Sequence, residues 1–297
     1  MDLSIIIVAF RGYEKLRATL AAVFSSETTY SYEVIVVDNG SDDGTPERIA
    51  GDFPTAAYPN LNIIRNTNNG FSKGNNLGYR HATGETVLIL NPDTEVFPDA
   101  IQKCMDYLKA YPDIGALGCK LIAADGSLDP VAHRSIPTPA NAFYRFVGLQ
   151  KMFPNNKRFA SYNMLYLPED QIADVEGLSG AFMMLPRQAF AKAGGFDEDY
   201  FMYGEDLDLS FLVKQAGFRV VYYPEAVTYH YKGSSTKKSP YRMLYHFHDA
   251  MAIFYRKHQA NSHSWLMNML VYGGIWSRFG LKIAQNFFRK NKYVSKN

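Results

Sequence analysis

The chain has 297 residues, 47% hydrophobic and 20% charged, with 21 Tyr, 20 Phe and a net charge of +2. Aromatic content this high with so little net charge excludes disorder as the main state, and the length suits one large α/β domain or two smaller ones. Only two cysteines are present, Cys104 and Cys119, both in apolar stretches; this excludes a disulfide scaffold and suits a reducing cytosol.

Apolar, β-branched runs alternate with helical patterns. Ser4–Phe10 reads as a fully buried strand, followed by a helix near Tyr13–Phe24. Glu33–Asp38 and Leu61–Ile64 are the next strands, and a helix over Ser72–Ala82 leads to the strand Thr86–Leu90. Pro98 opens a helix running to about Tyr111. Strands without in/out alternation, separated by helices, predict a mainly parallel sheet covered on both faces. Ligands of such sheets lie beyond the carboxyl ends of the strands, which is where functional residues are expected. Residues 123–176 carry Pro130, Pro137, Pro139, Pro154 and Pro168 and read as a less regular, mobile or substrate-facing excursion. Gly177–Leu185 reads as a strand, Glu205–Ala216 as a helix, and Arg219–Tyr223 and Val227–Tyr231 as two short strands. From Pro240 the pattern is helical, with Leu244, Phe247, Met251 and Phe254 along one face.

Charge divides the chain in two. Residues 1–235 hold 20 Lys/Arg against 28 Asp/Glu, whereas residues 236–297 hold 11 Lys/Arg against the single acid Asp249. We therefore expect a catalytic body over 1–235 and a basic, aromatic-rich helical segment over 236–297 facing something anionic. Met1-Asp2 lacks a basic leader and Leu3–Phe10 is too short for a signal core, so the expected location is the cytoplasm. No stretch reaches the roughly 20 apolar residues of a membrane span. The uncharged run Ser264–Ser277, followed by Arg278, Lys282, Arg289, Lys290, Lys292 and Lys296, suits an anionic membrane surface on the inner face of the cytoplasmic membrane. Packing on the body, or a homodimer contact, is the competing reading. Nucleic acid is not expected, because no recognition motif accompanies the charge.

Four clusters could carry chemistry. Asp38-Asn39-Gly40-Ser41 follows a strand; a polar turn is the ordinary reading, and a carboxylate bonded to a base or ribose the functional one. Asn91-Pro92-Asp93 also follows a strand, so its carboxylate is either a helix-entry residue or a ligand for Mg²⁺ or Mn²⁺. Gly195–Leu209 mixes six acids with Phe196, Tyr200, Phe201, Met202 and Tyr203. Acids beside so many aromatics can be desolvated and made more basic. On a helix Asp206 lies about 100° from Glu205 and about 160° from Asp208, so the three need not share a role. His230 closes the last strand, either as a packing residue or as part of a site.

These clusters, in this order, with Asn68-Asn69-Gly70-Phe71-Ser72-Lys73-Gly74-Asn75-Asn76-Leu77-Gly78 between the first two, resemble family 2 glycosyltransferases of the GT-A fold. His133–Thr138 and the Asn-Pro-Asp form of the metal motif are most similar to bacterial rhamnosyltransferase-like members. The resemblance spans about residues 3–235. It implies an inverting transfer, with rhamnose the first candidate sugar, from a dTDP- or UDP-sugar to a saccharide or lipid-linked saccharide, in cell-surface polysaccharide assembly. Asp38 would bind the nucleoside with the backbone near Ala9 and Phe10, and Gly70, Lys73 and Asn75 the base or diphosphate. Asn91 and Glu205 belong to the same donor site. Asp93 would hold the divalent metal with His230 beside it, and Asp206 would be the catalytic base. Asn91 departs from the pattern, standing where many members carry a first aspartate. Two other readings bind the same nucleotides: a sugar-1-phosphate nucleotidyltransferase, for which Ala9–Tyr13 is a poor phosphate loop, and a non-catalytic sugar-nucleotide-binding protein.

Overall fold

The structure, a computed structural model, describes residues 1–231 and 240–288. Lys237 and Lys238, and the basic residues from Arg289 on, lie outside the described residues.

The chain runs β1 (Leu3–Ala9), α1 (Tyr13–Phe24), β2 (Tyr32–Asp38), α2 (Thr45–Asp52), β3 (Leu61–Arg65), α3 (Phe71–His81), β4 (Thr86–Leu90), β5 (Thr94–Val96), α4 (Ala100–Ala110) and β6 (Ile114–Ile122). There follow β7 (His133–Arg134), α5 (Pro139–Phe146), α6 (Leu149–Met152), β8 (Ala173–Asp174), β9 (Gly177–Leu178), β10 (Phe182–Pro186), α7 (Arg187–Ala193), α8 (Glu205–Gln215) and β11 (Arg219–His230). The last helices are α9 (Pro240–His258) and α10 (Trp265–Phe287), joined through a 3₁₀ turn at Ala260–Ser262.

The central sheet has the order β3-β2-β1-β4-β10-β6-β11-β5, with β8 beside β11. The first four strands are parallel, in the register Ala9↔Asp38 and Ile7↔Leu90. β6 and β11 are also parallel, while β10, β5 and β8 run against their neighbours. All seven residues of β1 are buried, as a strand covered on both faces requires. The chain passes from β1 to β2 on one side and later adds β4 on the other, which opens a crevice at their carboxyl ends.

Four details differ from the expectation. Gly177–Leu185 is two strands, because the chain turns at Ser179–Ala181 and gives the Gly180 N–H to a side chain of α8. Arg219–His230 is one strand, its register slipping at Pro224–Ala226. The excursion 123–176 contains α5 and α6; Thr138 and Asn141 close a reciprocal cap at the start of α5. The strand β6 went unread because Gly115 and Gly118 interrupt its apolar run. Both are packing glycines: a Cβ at 118 would stand 2.5 Å from Leu178 and one at 115 would stand 2.4 Å from Phe218.

α9 lays Ala250, Ile253 and Phe254 on Tyr200 and Leu207 of the body, a second apolar cluster beside the main core. No helix of the described residues is long and apolar enough to cross a membrane.

Candidate active site

At the end of β2 Asp38 is buried, and both its carboxylate oxygens face the Ser41 N–H. The next residue ties three loops together. Asn39 N–H donates to Ala9 O at 2.7 Å, its amide to Gly70 O at 3.0 Å, and its Oδ1 accepts from Asn66. Gly70 has a φ of 104°, and a Cβ there would lie 2.6 Å from Phe201 O. Only glycine lets the start of α3 close onto the aromatic loop, where Phe71 N–H donates to that same oxygen. Lys73 is exposed on the first turn of α3, in electrostatic contact with Asp199. Asn75 is fully buried; its amide donates to Phe71 O, while its Oδ1 meets no hydrogen-bond partner among the described residues.

Beyond β4, Asp93 lies between Lys15 and His230. Lys15 Nζ is 3.4 Å from Oδ2 and His230 Nε2 is 3.5 Å from Oδ1. The other ring nitrogen of His230 is 2.9 Å from Asp129. Burial works to depress the His230 pKa, but the bonds to Asp129 and Asp93 outweigh it and raise it. Among the described residues no three His, Cys, Asp or Glu side chains form a metal-holding group. Asp93 and His230 nevertheless offer an oxygen and a nitrogen donor on adjoining residues, with the Asn91 amide two residues away, a set that suits a hard cation sharing its shell with phosphate.

At the start of α8 three acids diverge. Asp206 Oδ2 accepts from Arg134 Nη2 at 2.6 Å and from the Gly180 N–H at 3.2 Å. Glu205 is buried, its Oε2 unpartnered among the described residues; desolvation and the neighbouring Asp206 charge hold its pKa well above the usual carboxyl range. Asp208 points the other way, fully buried against the Tyr200 hydroxyl and against His258 of α9, 2.5 Å away.

The turn at Ser179–Ala181 joins these groups. Ala181 O accepts from Asn91 N–H at 3.1 Å, Gly180 N–H reaches Asp206, and the Phe71 ring lies within 4 Å of a Cβ placed at Gly180. The ends of β2 and β4 and the starts of α3 and α8 therefore meet in one crevice. Arg134 and Lys15 are charged neighbours that the sequence reading did not assign. Arg134 lies inside the marked stretch His133–Thr138; nothing in the pattern around Lys15 signals its place.

Residues 4–170 match the model of Glycosyl transferase family 2. The chain belongs to that family. Over 271 residues this family 2 member is 32% identical to the N-acetylglucosaminyl-diphospho-decaprenol L-rhamnosyltransferase of Mycobacterium tuberculosis, covering 85% of this chain and 83% of that one. It is 26% identical to the rhamnosyltransferase WbbL of Escherichia coli K12, over 76% of this chain and 82% of that one. Among solved structures, the mannosyltransferase PcManGT of Pyrobaculum calidifontis, in complex with GDP-Man and Mn²⁺, superposes with a TM-score of 0.60 at 18% identity, over 96% of this chain and 71% of that chain. TarS of S. aureus with UDP-GlcNAc also gives 0.60, at 14% identity, over 94% and 72%. The fold is GT-A, and the family 2 chain is a nucleotide-sugar-dependent glycosyltransferase.

Proposed function

We propose that this glycosyltransferase moves a sugar, rhamnose first among candidates, with inversion from a nucleoside-diphosphate donor to a hydroxyl of a lipid-linked saccharide, in building a cell-surface polysaccharide. Residues 1–235 carry the catalysis and residues 236–297 serve its place at the inner face of the cytoplasmic membrane. The two rhamnosyltransferase relatives, one named for a diphospho-decaprenol acceptor, support sugar and acceptor.

The observation that carries the mechanism is the setting of Asp206. Arg134 and the Gly180 N–H both grip Oδ2, fixing the carboxylate beside the strand-end loop of Asn91 and Asp93. In this reading Asp206 takes the proton of the acceptor hydroxyl as its oxygen attacks the anomeric carbon from the side opposite the leaving diphosphate. One base suffices, unlike glycoside hydrolysis with its two carboxyl groups. Asp38 and the loop around Gly70 bind the nucleoside, with the backbone at Ala9 and Phe10. Lys73 and Lys15 bring positive charge toward the diphosphate. Asp93 and His230, with the Asn91 amide, would hold Mg²⁺ or Mn²⁺, which when bound offsets the charge that develops on the leaving group. Buried beneath Asp206, Glu205 shapes the pocket as a neutral acid.

The deciding experiment is Asp206→Asn. Binding of dTDP- or UDP-sugar, read by thermal stabilisation, stays within about twofold, whereas transfer falls by about 10³ or more. Undiminished transfer would remove Asp206 as the base.

A further inference from the structure

α10 carries apolar side chains on both sides: Val271, Tyr272, Ile275 and Phe279 are half-buried toward α9, where the Tyr272 and Phe279 rings meet Tyr255 and Tyr245. Its inward-facing residues include Asn268, Arg278, Lys282 and Asn286: Asn268 bonds to the Tyr255 hydroxyl and Ala260 O, Asn286 is buried, and Arg278 and Lys282 are half-buried. The solvent side carries Trp265, Met269, Leu270, Leu281 and Phe287, with Trp265 and Phe287 each 76% exposed. At about 100° per residue these fall within one half of the helix, with Gly273, Gly280 and Ala284 between them. A helix on a protein surface normally turns its apolar stripe to the core. Here a second set of large apolar side chains faces outward over more than six turns.

A second exposed apolar element adjoins it. The α5–α6 hairpin presents Phe146 and Met152, 66% and 67% exposed, together with Phe143 and Phe153. Arg278 of α10 lies within electrostatic reach of Arg145 on α5, so the two elements are neighbours. Both come from stretches without acids. Between Asp129 and Glu169 the chain has five Lys/Arg and no Asp or Glu, and after Asp249 it has eight and none. The hairpin also connects directly to the crevice: Arg134, which grips Asp206, stands five residues before α5, and Gln259 at the end of α9 donates to Pro137 O in between.

We propose that the outward side of α10 and the tip of the α5–α6 hairpin form one docking face that lies in the plane of an anionic lipid bilayer. Apolar side chains enter the headgroup boundary while flanking cations meet the lipid phosphates. Charge selects this occupant. A symmetric dimer would set the same cationic, acid-free patch against itself, whereas an anionic leaflet complements it. Since no helix of the described residues can span, contact is parallel to the surface. The use of such a face, bringing Asp206 to an acceptor anchored in the same leaflet, rests on the function proposed above; the docking itself does not.

The full chain is mixed with vesicles of phosphatidylcholine alone or of equimolar phosphatidylcholine and phosphatidylglycerol, and sedimented at low and high salt. Roughly tenfold more protein is expected on the anionic vesicles, released by salt. The variants Leu270→Ser/Leu281→Ser and Phe146→Ser/Met152→Ser, all at exposed positions, should melt like the unaltered protein and each lose most of this binding. They should keep transfer to a water-soluble, short-chain acceptor and lose it to a vesicle-borne one. Protein left in the supernatant, vesicle binding indifferent to both variants, or a dimer in sedimentation velocity that Leu270→Ser/Leu281→Ser dissolves would each overturn the proposal. Vesicle binding without transfer to any acceptor would sink the proposed function and leave the docking face standing.

Discussion

Glu205 and Asp206 are adjacent in sequence yet differ in what surrounds the carboxylate. Asp206 has a guanidinium at 2.6 Å; Glu205 has a buried oxygen with no partner among the described residues and is held protonated. A carboxyl whose folded pKa is raised favours folding least when ionised. The unfolded chain begins to ionise it near its ordinary value of 4.5, so stability falls as pH climbs from there toward the raised folded pKa. Glu205→Gln keeps the shape without the titration. Thermal melts should therefore show the variant more stable than the unaltered protein at pH 8, with the gap closing toward pH 5; an equal gap at both would show that Glu205 is not held neutral. The Arg134–Asp206 pair is tested by a double-mutant cycle. Arg134→Met or Asp206→Asn alone leaves one member of a largely buried pair uncompensated and should cost about 3–5 kcal/mol in urea unfolding, while the double variant recovers much of that loss. Additive losses would mean that the two side chains do not act as a pair.

At the scale of elements, strands buried on both faces were the legible part. β1, β2 and β4 announce themselves as continuous apolar runs, and the rule that ligands gather at strand ends led to Asp38 and Asp93. β6 was not legible, since the glycines that let Leu178 and Phe218 pack against it are the residues that break its apolar pattern. Arg134 and Lys15 escaped for a different reason. Their partners lie 72 and 78 residues away, and no local periodicity encodes a contact made by two loops meeting across a fold. The same is true of α9, readable as a helix but not as the element that closes over Asp208. There, among the described residues, His258 and Tyr200 are the two side chains bonded to Asp208 Oδ1, and Oδ2 has no partner. His258→Ala should therefore cost about 1–3 kcal/mol by urea unfolding. Lys257→Ala, which removes partly exposed ion pairs to Asp197 and Asp199, should cost under about 1 kcal/mol. The reverse order would place the anchor of α9 in its surface charges.

Across the whole molecule, the acidic body and basic tail meet along α9, where Lys257 pairs with Asp197 and Asp199 and His258 with Asp208. Both sets of acids flank Tyr200, whose ring sits in the apolar cluster that α9 completes with Ala250, Ile253 and Phe254. α10 stands in another relation to the body. It rests on α9 through the Tyr272 and Phe279 rings and through Asn268 with Tyr255, and turns other large apolar side chains to solvent, so in water its loss removes exposed apolar surface along with those inward contacts. Two truncations should therefore behave differently, although both keep every residue assigned to the crevice. A chain ending at His263 retains α9 and should melt within about 4 °C of the full chain, with less aggregation on standing. A chain ending at Ser239 uncovers Tyr200 and Leu207 and strips Asp208 of His258 beside the start of α8. Its melting should drop by about 10 °C or lose cooperativity, and transfer should fall with it, because Asp206 sits on the same helical turn. Equal melting temperatures for the two truncated chains would show that the base-bearing helix stands without α9.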